Sequence, residues 1–153
     1  FTDAFGRDGG QVAKIFSQSS KLWRPFFAPV YIPNADPKRI AMGLRNMPRL
    51  SALTDQLRPV IKRNLSRTTG AVQWSWRYLD KHADLLDLLL PAFKAYLKGE
   101  PDMRKKLDQA INFIWKNEKT LHPVLDASMI ASVLQWRASE LEAWLKSTAK
   151  TTR

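Results

Sequence analysis

The sequence predicts an all-α protein, a helical bundle of five to six helices around a central helix at about residues 71–98, with an extended arm at residues 25–37. Apolar residues recur at spacings of three and four in several segments, which is the pattern of amphipathic helices. Proline or glycine separates most of these segments, and no alternating strand pattern of useful length occurs. Short connections between helices are typical of bundles.

The central helix has the clearest pattern. One apolar row consists of Val72, Trp76, Leu79, Ala83, Leu86, Leu90, Phe93 and Leu97. A second row runs beside it and consists of Trp74, Tyr78, Leu85, Leu88, Ala92 and Tyr96. Two adjacent rows make a wider apolar arc than a surface helix shows, so we expect neighbours on two sides. Pro91 predicts a kink or a break, and Gly99 followed by Pro101 predicts the end of the helix.

Before the central helix, the glycine-containing residues 1–10 are expected to be flexible. Asp8 is a candidate N-cap for a helix over residues 11–23, and Pro25 is expected to stop that helix. The remaining helices are predicted at about residues 37–46, 48–67 with a bend at Pro59, 101–119 and 126–146, and the tail 147–153 is expected to fray.

The arm is predicted from a repeat of proline at every fourth residue, at Pro25, Pro29, Pro33 and Pro37. Proline favours extended geometry at the residue before it, and apolar residues lie between the prolines. The arm either lies across its own bundle or docks on another subunit through Phe26, Phe27 and Tyr31. Exposed aromatic side chains would favour docking.

Trp74 is a further candidate for docking on a partner. It lies about 200° around the helix from Trp76, so both cannot face one neighbour. One of them must meet a second neighbour, solvent or a partner, and tryptophan is favoured at interface anchors.

Length and composition predict a single helical domain over residues 1–153. Cysteine is absent, which excludes disulfides and thiolate metal sites. No apolar run approaches the roughly 20 residues of a membrane span. A soluble or peripheral protein, intracellular or organellar, is therefore favoured, and its compartment stays unassigned. The first residue is Phe1, so we expect a processed or excised form.

The net charge of +11 is concentrated in one region. Residues 38–70 contain eight lysines or arginines against one acid, Asp55, a net of +7. The predicted helix over residues 48–67 is apolar underneath and cationic along both edges. The candidate polyanion-binding residues are Arg49, Arg58, Lys62, Arg63 and Arg67.

No pattern predicts catalysis. Asp80, Asp84 and Asp87 share one helix face, where they form either a cation site or an internal salt-bridge face; the second interpretation is favoured because Arg77 and Lys81 lie within one turn. His82 and His122 lack partners at diagnostic spacing, and glycine-loop motifs are absent. We therefore predict no catalytic residue, no metal, no cofactor and no enzyme.

Three functions remain open. The first is a non-catalytic basic subunit or interaction module of a larger assembly, which binds partner protein through an apolar, aromatic surface. The second is nucleic-acid binding through phosphate contacts of the basic helix 48–67. The third is peripheral binding to an anionic membrane, although the apolar face of that helix is also needed to cover the central helix.

Overall fold

The structure is a computed structural model that describes residues 1–31, 37–121, 129–135 and 139–140, and it describes no side chains for residues 24–31. The helices are α1 (Thr2–Phe5), a 3-10 helix (Gly6–Asp8), α2 (Gly9–Tyr31), α3 (Pro37–Leu65), α4 (Gly70–Lys98), α5 (Met103–Lys116) and α6 (Glu118–Leu121). Residues 129–135 are also helical, and the described residues contain no strand. The predicted all-α class is confirmed.

The chain divides into two compact units, Phe1–Asp87 and Leu88–Arg153. The division falls inside α4, which runs through it without interruption.

The first unit is built from α2, α3 and the first part of α4. The side chain of Asn46 on α3 donates a hydrogen bond to the carbonyl of Leu22 on α2, 3.2 Å away. At the other end of the pair, Asn64 donates to Asp8 at 2.7 Å, so α2 and α3 are antiparallel. The core between the helices contains Val12, Ile15, Leu22, Leu50, Leu53, Leu57, Val60, Ile61, Trp76, Leu79 and Ala83.

Prolines interrupt the helices less than predicted. The backbone of α2 is helical past Pro25 and Pro29 to Tyr31, so the extended arm predicted at residues 25–37 is wrong for residues 25–31. Residues 32–36 lie outside the described part, and Pro37 begins α3. Prolines four residues apart remove donors from one side of a helix and leave the hydrogen bonds of the other side intact.

The other internal prolines follow the same rule. Helix α3 continues through Pro48 and Pro59, where two separate helices were predicted. Helix α4 continues through Pro91, so the predicted break does not occur. Most helical stability in proteins comes from packing of the apolar face, and these faces run past each proline.

The predicted ends of α4 are confirmed. Gly70 and Gly99 have φ of 61° and 65°, in the left-handed region that favours glycine. At the C-terminus, Glu100 N–H donates to the Ala95 carbonyl at 2.9 Å and Gly99 N–H donates to the Tyr96 carbonyl at 3.2 Å. These two hydrogen bonds form a Schellman motif.

The first residues contribute to the core, although residues 1–10 were expected to be flexible. They form α1 and the 3-10 helix, and the ring of Phe5 packs edge-on against Trp76 with 5.0 Å between ring centroids. Asp8 does not act as the predicted cap, because its carboxylate accepts hydrogen bonds from Arg63 and Asn64.

The second unit contains α5 and α6. The predicted inward residues of α5, which are Met103, Leu107, Ala110, Ile111 and Ile114, are buried. The single helix predicted over residues 101–119 is divided at Asn117 into α5 and α6. Ala131 and Leu134 are buried in the helix at residues 129–135, and the predicted tail 147–153 lies outside the described residues.

Candidate polyanion-binding surface

Four of the five predicted polyanion-binding residues lie on α3, and Arg67 lies in the turn that follows its last residue, Leu65; three of the five form no ion pair within the described residues. Arg58 Nη1 donates to Asp84 Oδ1 at 3.1 Å, and Nη2 donates to Asp87. Arg58 therefore joins α3 to α4 and is already neutralised. These ion pairs do not support the prediction that Arg58 contacts a polyanion.

Arg63 is also paired. Its Nη2 donates to Asp8 Oδ2 at 2.8 Å, and Asn64 donates to the same oxygen. The hydrogen bonds from Arg63 and Asn64 hold the pKa of Asp8 below its ordinary value. This pair ties the start of the chain to the end of α3.

Arg49, Lys62 and Arg67 are exposed, and none forms an ion pair within the described part of the chain. They do not share one edge of the helix. Arg49 lies on one edge, and Arg67 lies in the turn after α3, where its N–H donates to the Asn64 carbonyl at 3.1 Å, so the helix period does not place it on that edge. Lys62 lies on the other edge, in a shallow cleft beside α4 that is lined by Arg58, Lys62, Leu65, Ser66 and Asp80.

Arg45 belongs with Arg49, although it was not among the predicted site residues. It precedes Arg49 by four residues, is exposed, and has no ion pair within the described residues. The signal in the sequence was this spacing of four residues, which places both side chains on one helix edge once residues 37–65 are recognised as one helix. We call Arg45, Arg49 and Arg67 the arginine row; the first two lie on α3, and the third lies in the turn that follows it.

The carboxylates of α4 form a salt-bridge face, as favoured from the sequence. Lys81 Nζ lies 3.0 Å from Asp84 and 3.5 Å from Asp80, and Arg58 binds Asp84 and Asp87. Burial raises the pKa of Asp84, but hydrogen bonds from Lys81 and Arg58 outweigh it and lower that pKa overall. No group of three or more metal-ligating side chains occurs among the described residues.

The predicted docking residues are only partly described. Three of them, Phe26, Phe27 and Tyr31, lie in α2, and the structure does not describe their side chains. Trp74 is half-buried and stacks on Tyr78, with 6.1 Å between ring centroids and 18° between the ring planes. Trp76 is fully buried, so the two tryptophans have different surroundings, as their spacing indicated.

His82 is a half-buried member of the same group of rings, and its Nδ1 atom is buried. Its ring stacks on Tyr78 and on Phe16, with centroid distances of 5.9 and 6.0 Å. Its Nδ1 atom has no hydrogen-bond partner in the described structure, and burial lowers the pKa of His82. A neutral imidazole packed between rings fits a role in packing better than a role as an accessible base.

Fold and surface together define a basic all-α protein that exposes Arg45 and Arg49 on one edge of α3. No protein-family model, curated protein or solved structure matches this chain. Within the described residues, no helix combines the length and the apolar character needed to span a bilayer.

Proposed function

We propose that this chain is a non-catalytic helical interaction module that binds a phosphate-bearing polymer through α3. The observation that carries the proposal is the arginine row. Its three side chains are exposed and free of ion pairs within the described residues. Arg45 and Arg49 share one edge of α3, and Arg67 lies in the turn that follows the helix.

The chemistry of the row favours phosphate. Guanidinium groups bind phosphate oxygens in a fixed two-pronged geometry, and each contact releases a condensed counterion from a nucleic acid. The acids near α3 do not neutralise the row. Asp8 is engaged by Arg63, and Asp55 lies about a third of a turn away around the helix.

The packing of α3 argues against the membrane alternative. A helix that lies in a membrane surface inserts its apolar face among the lipids. The apolar face of α3 is already covered, since Leu50, Leu57 and Ile61 are 2%, 5% and 1% exposed. Met42 is the one large apolar side chain that α3 exposes among the described residues, at 43%, so α3 presents a mainly polar and cationic surface to a partner.

The non-catalytic part of the proposal is supported by how the titratable groups are used. Asp84 and Asp87 are held by Arg58, and Asp80 pairs with Lys81. His82 is packed between rings. Each of these groups has a structural role that keeps it from acting as an accessible acid, base or ligand.

The test measures fluorescence anisotropy of a labelled random-sequence oligonucleotide at about 50 and 200 mM salt. Wild-type protein is expected to bind at the lower salt and to weaken steeply at the higher. The variant Arg45→Gln/Arg49→Gln/Arg67→Gln is expected to weaken binding at low salt by about 10-fold or more and to flatten the salt dependence.

The matched control is Lys98→Gln/Lys105→Gln/Lys116→Gln, which removes three exposed positive charges outside α3. It is expected to bind nearly as tightly as wild type. Absence of binding by the wild type at low salt would overturn the proposal, and so would equal weakening by the two triple variants.

A second proposal is docking on a partner protein, and Trp115 on α5 favours it. This side chain is 46% exposed, and tryptophan is enriched among residues that anchor interfaces. Sedimentation velocity at low and high micromolar concentration tests self-association as one form of docking. A rise in mass that Trp115→Ser abolishes supports it, and a monomer at both concentrations counts against it.

A further inference from the structure

We propose that Trp74 and Arg77 form a stacking site for an unpaired base of a single-stranded nucleic acid. This inference rests on the proposed function and deepens it by naming the form of the polymer and the ring that receives its bases. The stacking site is defined here by Trp74, Arg77 and the open space at Gly70, all on the first turns of α4.

A continuous stack of rings ends at Trp74. Phe16 of α2 stacks on His82 with 6.0 Å between ring centroids, and His82 stacks on Tyr78 at 5.9 Å. Tyr78 stacks on Trp74 at 6.1 Å, with 18° between the ring planes. Among the described residues Trp74 has no second ring contact. Packed rings therefore hold the indole in place on one face, while its other face has no ring partner.

The other face of Trp74 is directed toward Gly70. Residues four positions apart are neighbours on one face of a helix, and side chains lean toward its N-terminus. Tyr78 covers the indole from four residues later, so the opposite face points toward the residue four positions earlier, which is Gly70. A Cβ at Gly70 would have no heavy atom from elsewhere in the chain within 4 Å. A planar group can therefore enter the space that a side chain at this position would fill.

The indole N–H of Trp74 is also available. The buried side-chain nitrogens without a hydrogen-bond partner in the described structure are Trp76 Nε1 and His82 Nδ1. Trp74 Nε1 is not one of them, and it forms no hydrogen bond within the described residues, so this N–H reaches solvent. An accessible donor at the edge of the ring can bond an oxygen or nitrogen of a base or sugar.

Arg77 supplies positive charge beside the ring. It follows Trp74 by three residues, and side chains at this spacing are neighbours on a helix. Arg77 is exposed and forms no ion pair in the part of the chain that the structure describes. Its guanidinium can bind the phosphate next to a base that stacks on Trp74. A ring for the base and a free cation for the phosphate are the two features that single-strand binders combine.

The stacking site adjoins the end of α3. Gln73 Nε2 donates to the Leu65 carbonyl at 3.2 Å, so the edge of α4 that carries Gln73 contacts the last residue of α3. Arg77 follows Gln73 by four residues and shares that edge. Arg67, the member of the arginine row that lies in the turn after α3, precedes Trp74 by seven residues. A strand bound to the arginine row can therefore continue onto Trp74.

The chemistry selects an unpaired base in a strand. Bases inside a duplex are covered on both faces by their neighbours, so only an unstacked base can lie on the indole. Stacking of one base contributes about 5- to 100-fold to affinity. A free nucleotide would gain only this contact and one phosphate contact, whereas a strand adds the contacts of the arginine row.

The experiment separates bases from phosphates. Anisotropy is measured at low salt with a labelled single strand, an abasic strand of equal length and charge, and a duplex of the same sequence. Wild type is expected to bind the strand with bases about 5-fold or more tighter than the abasic strand. Trp74→Leu keeps an apolar side chain and removes the ring. It is expected to abolish this preference while leaving affinity for the abasic strand and the duplex unchanged.

Three further variants serve as controls. Trp74→Phe keeps a stacking ring and is expected to retain part of the preference for bases. Trp115→Leu removes the exposed tryptophan of α5 and is expected to leave the preference unchanged. Arg77→Gln is expected to weaken binding of both strands alike and to reduce the slope of log K against log salt by about 0.7. Circular dichroism checks that each variant is folded.

Separate outcomes overturn the inference and the proposed function. Equal binding of the two strands by wild type overturns the stacking site, and so does an unchanged preference for bases in Trp74→Leu; if the triple arginine variant still weakens both strands, the arginine row remains the phosphate-binding element. An equal loss of affinity for the duplex and the single strand in Trp74→Leu overturns the choice of an unpaired base. Displacement of the strand by an equal concentration of a mononucleotide overturns the choice of a strand. Absence of binding to either strand by wild type overturns both proposals.

Discussion

Mild acid is expected to destabilise the first unit through His82. Its ring lies between Phe16 and Tyr78, and its Nδ1 has no hydrogen-bond partner within the described structure. Burial lowers the pKa of His82, so the folded protein holds the imidazole neutral. A proton there would place an uncompensated charge among aromatic rings.

The magnitude follows from the linkage between protonation and folding. In the unfolded chain the pKa of histidine is about 6.5, so between that value and the lower folded pKa the unfolded state binds more protons. The stability from this residue is fully present above about pH 7.5 and is lost as the pH falls through 6.5 toward the folded pKa. Between pH 7.5 and 5.5 the loss from His82 reaches at most about 1.4 kcal/mol.

Urea unfolding followed by circular dichroism at the two pH values measures this loss. Other titrating groups contribute to wild type and variants alike, so the relevant quantity is a difference between proteins. His82→Leu is expected to lose up to about 1.4 kcal/mol less than wild type over this pH range. His122→Gln keeps the other histidine in place and is expected to retain the wild-type loss.

An NMR titration of the His82 imidazole gives an independent measurement. A pKa at or above about 6.5 in the folded protein would refute the reasoning. Identical pH dependence of wild type and His82→Leu would refute it as well, because the acid sensitivity would then belong to other groups.

Five further substitutions test the ion pairs, the backbone conformation and the core. Arg58→Gln removes the link from α3 to two aspartates of α4 and is expected to lower the free energy of unfolding by about 1 kcal/mol, since the pair is partly exposed. Lys62→Gln on the same helix should change the free energy of unfolding by less than about 0.5 kcal/mol. Urea titrations that give Arg58→Gln and Lys62→Gln the same loss of stability would contradict the role of Arg58. Gly99→Ala should lower the free energy of unfolding by about 1 kcal/mol, because φ of Gly99 is 65°. Gly10→Ala lies in a helix with open space around the new Cβ, so it should raise the free energy of unfolding by about 0.4–1 kcal/mol. A change of the same sign in both variants would contradict the argument from backbone conformation. Leu79→Ala truncates a side chain that is 0% exposed and should lower the free energy of unfolding by about 2–5 kcal/mol. A thermal midpoint unchanged from wild type would show that this position is not in the core.

Helix periodicity made α4 and α5 predictable. The apolar rows of α4 and the inward residues of α5 depend only on residues a few positions apart. Prolines were the source of error, since the rule that proline stops a helix ignores the packed face that continues past Pro48 and Pro91. The backbone of α2 is likewise helical past Pro25. Glycine was more reliable, because the left-handed φ of Gly70 and Gly99 is a local requirement.

The location of the candidate surface was predictable from the sequence, but which of its side chains are free of ion pairs was not. The cationic region at residues 38–70 is a property of the sequence itself. Which of its members are free depends on acids far along the chain. Arg58 is neutralised by residues 26 and 29 positions away, and Arg63 by Asp8, 55 positions away.

By itself, the sequence determined that this protein is helical and that most of its positive charge lies in one region, because helical periodicity and charge density are read from neighbouring residues. Only the tertiary structure decided which cations are paired and that α2 runs antiparallel beside α3. Ion pairing depends on which helices pack together and in which register, and the cores of those helices, not their charged residues, determine that register.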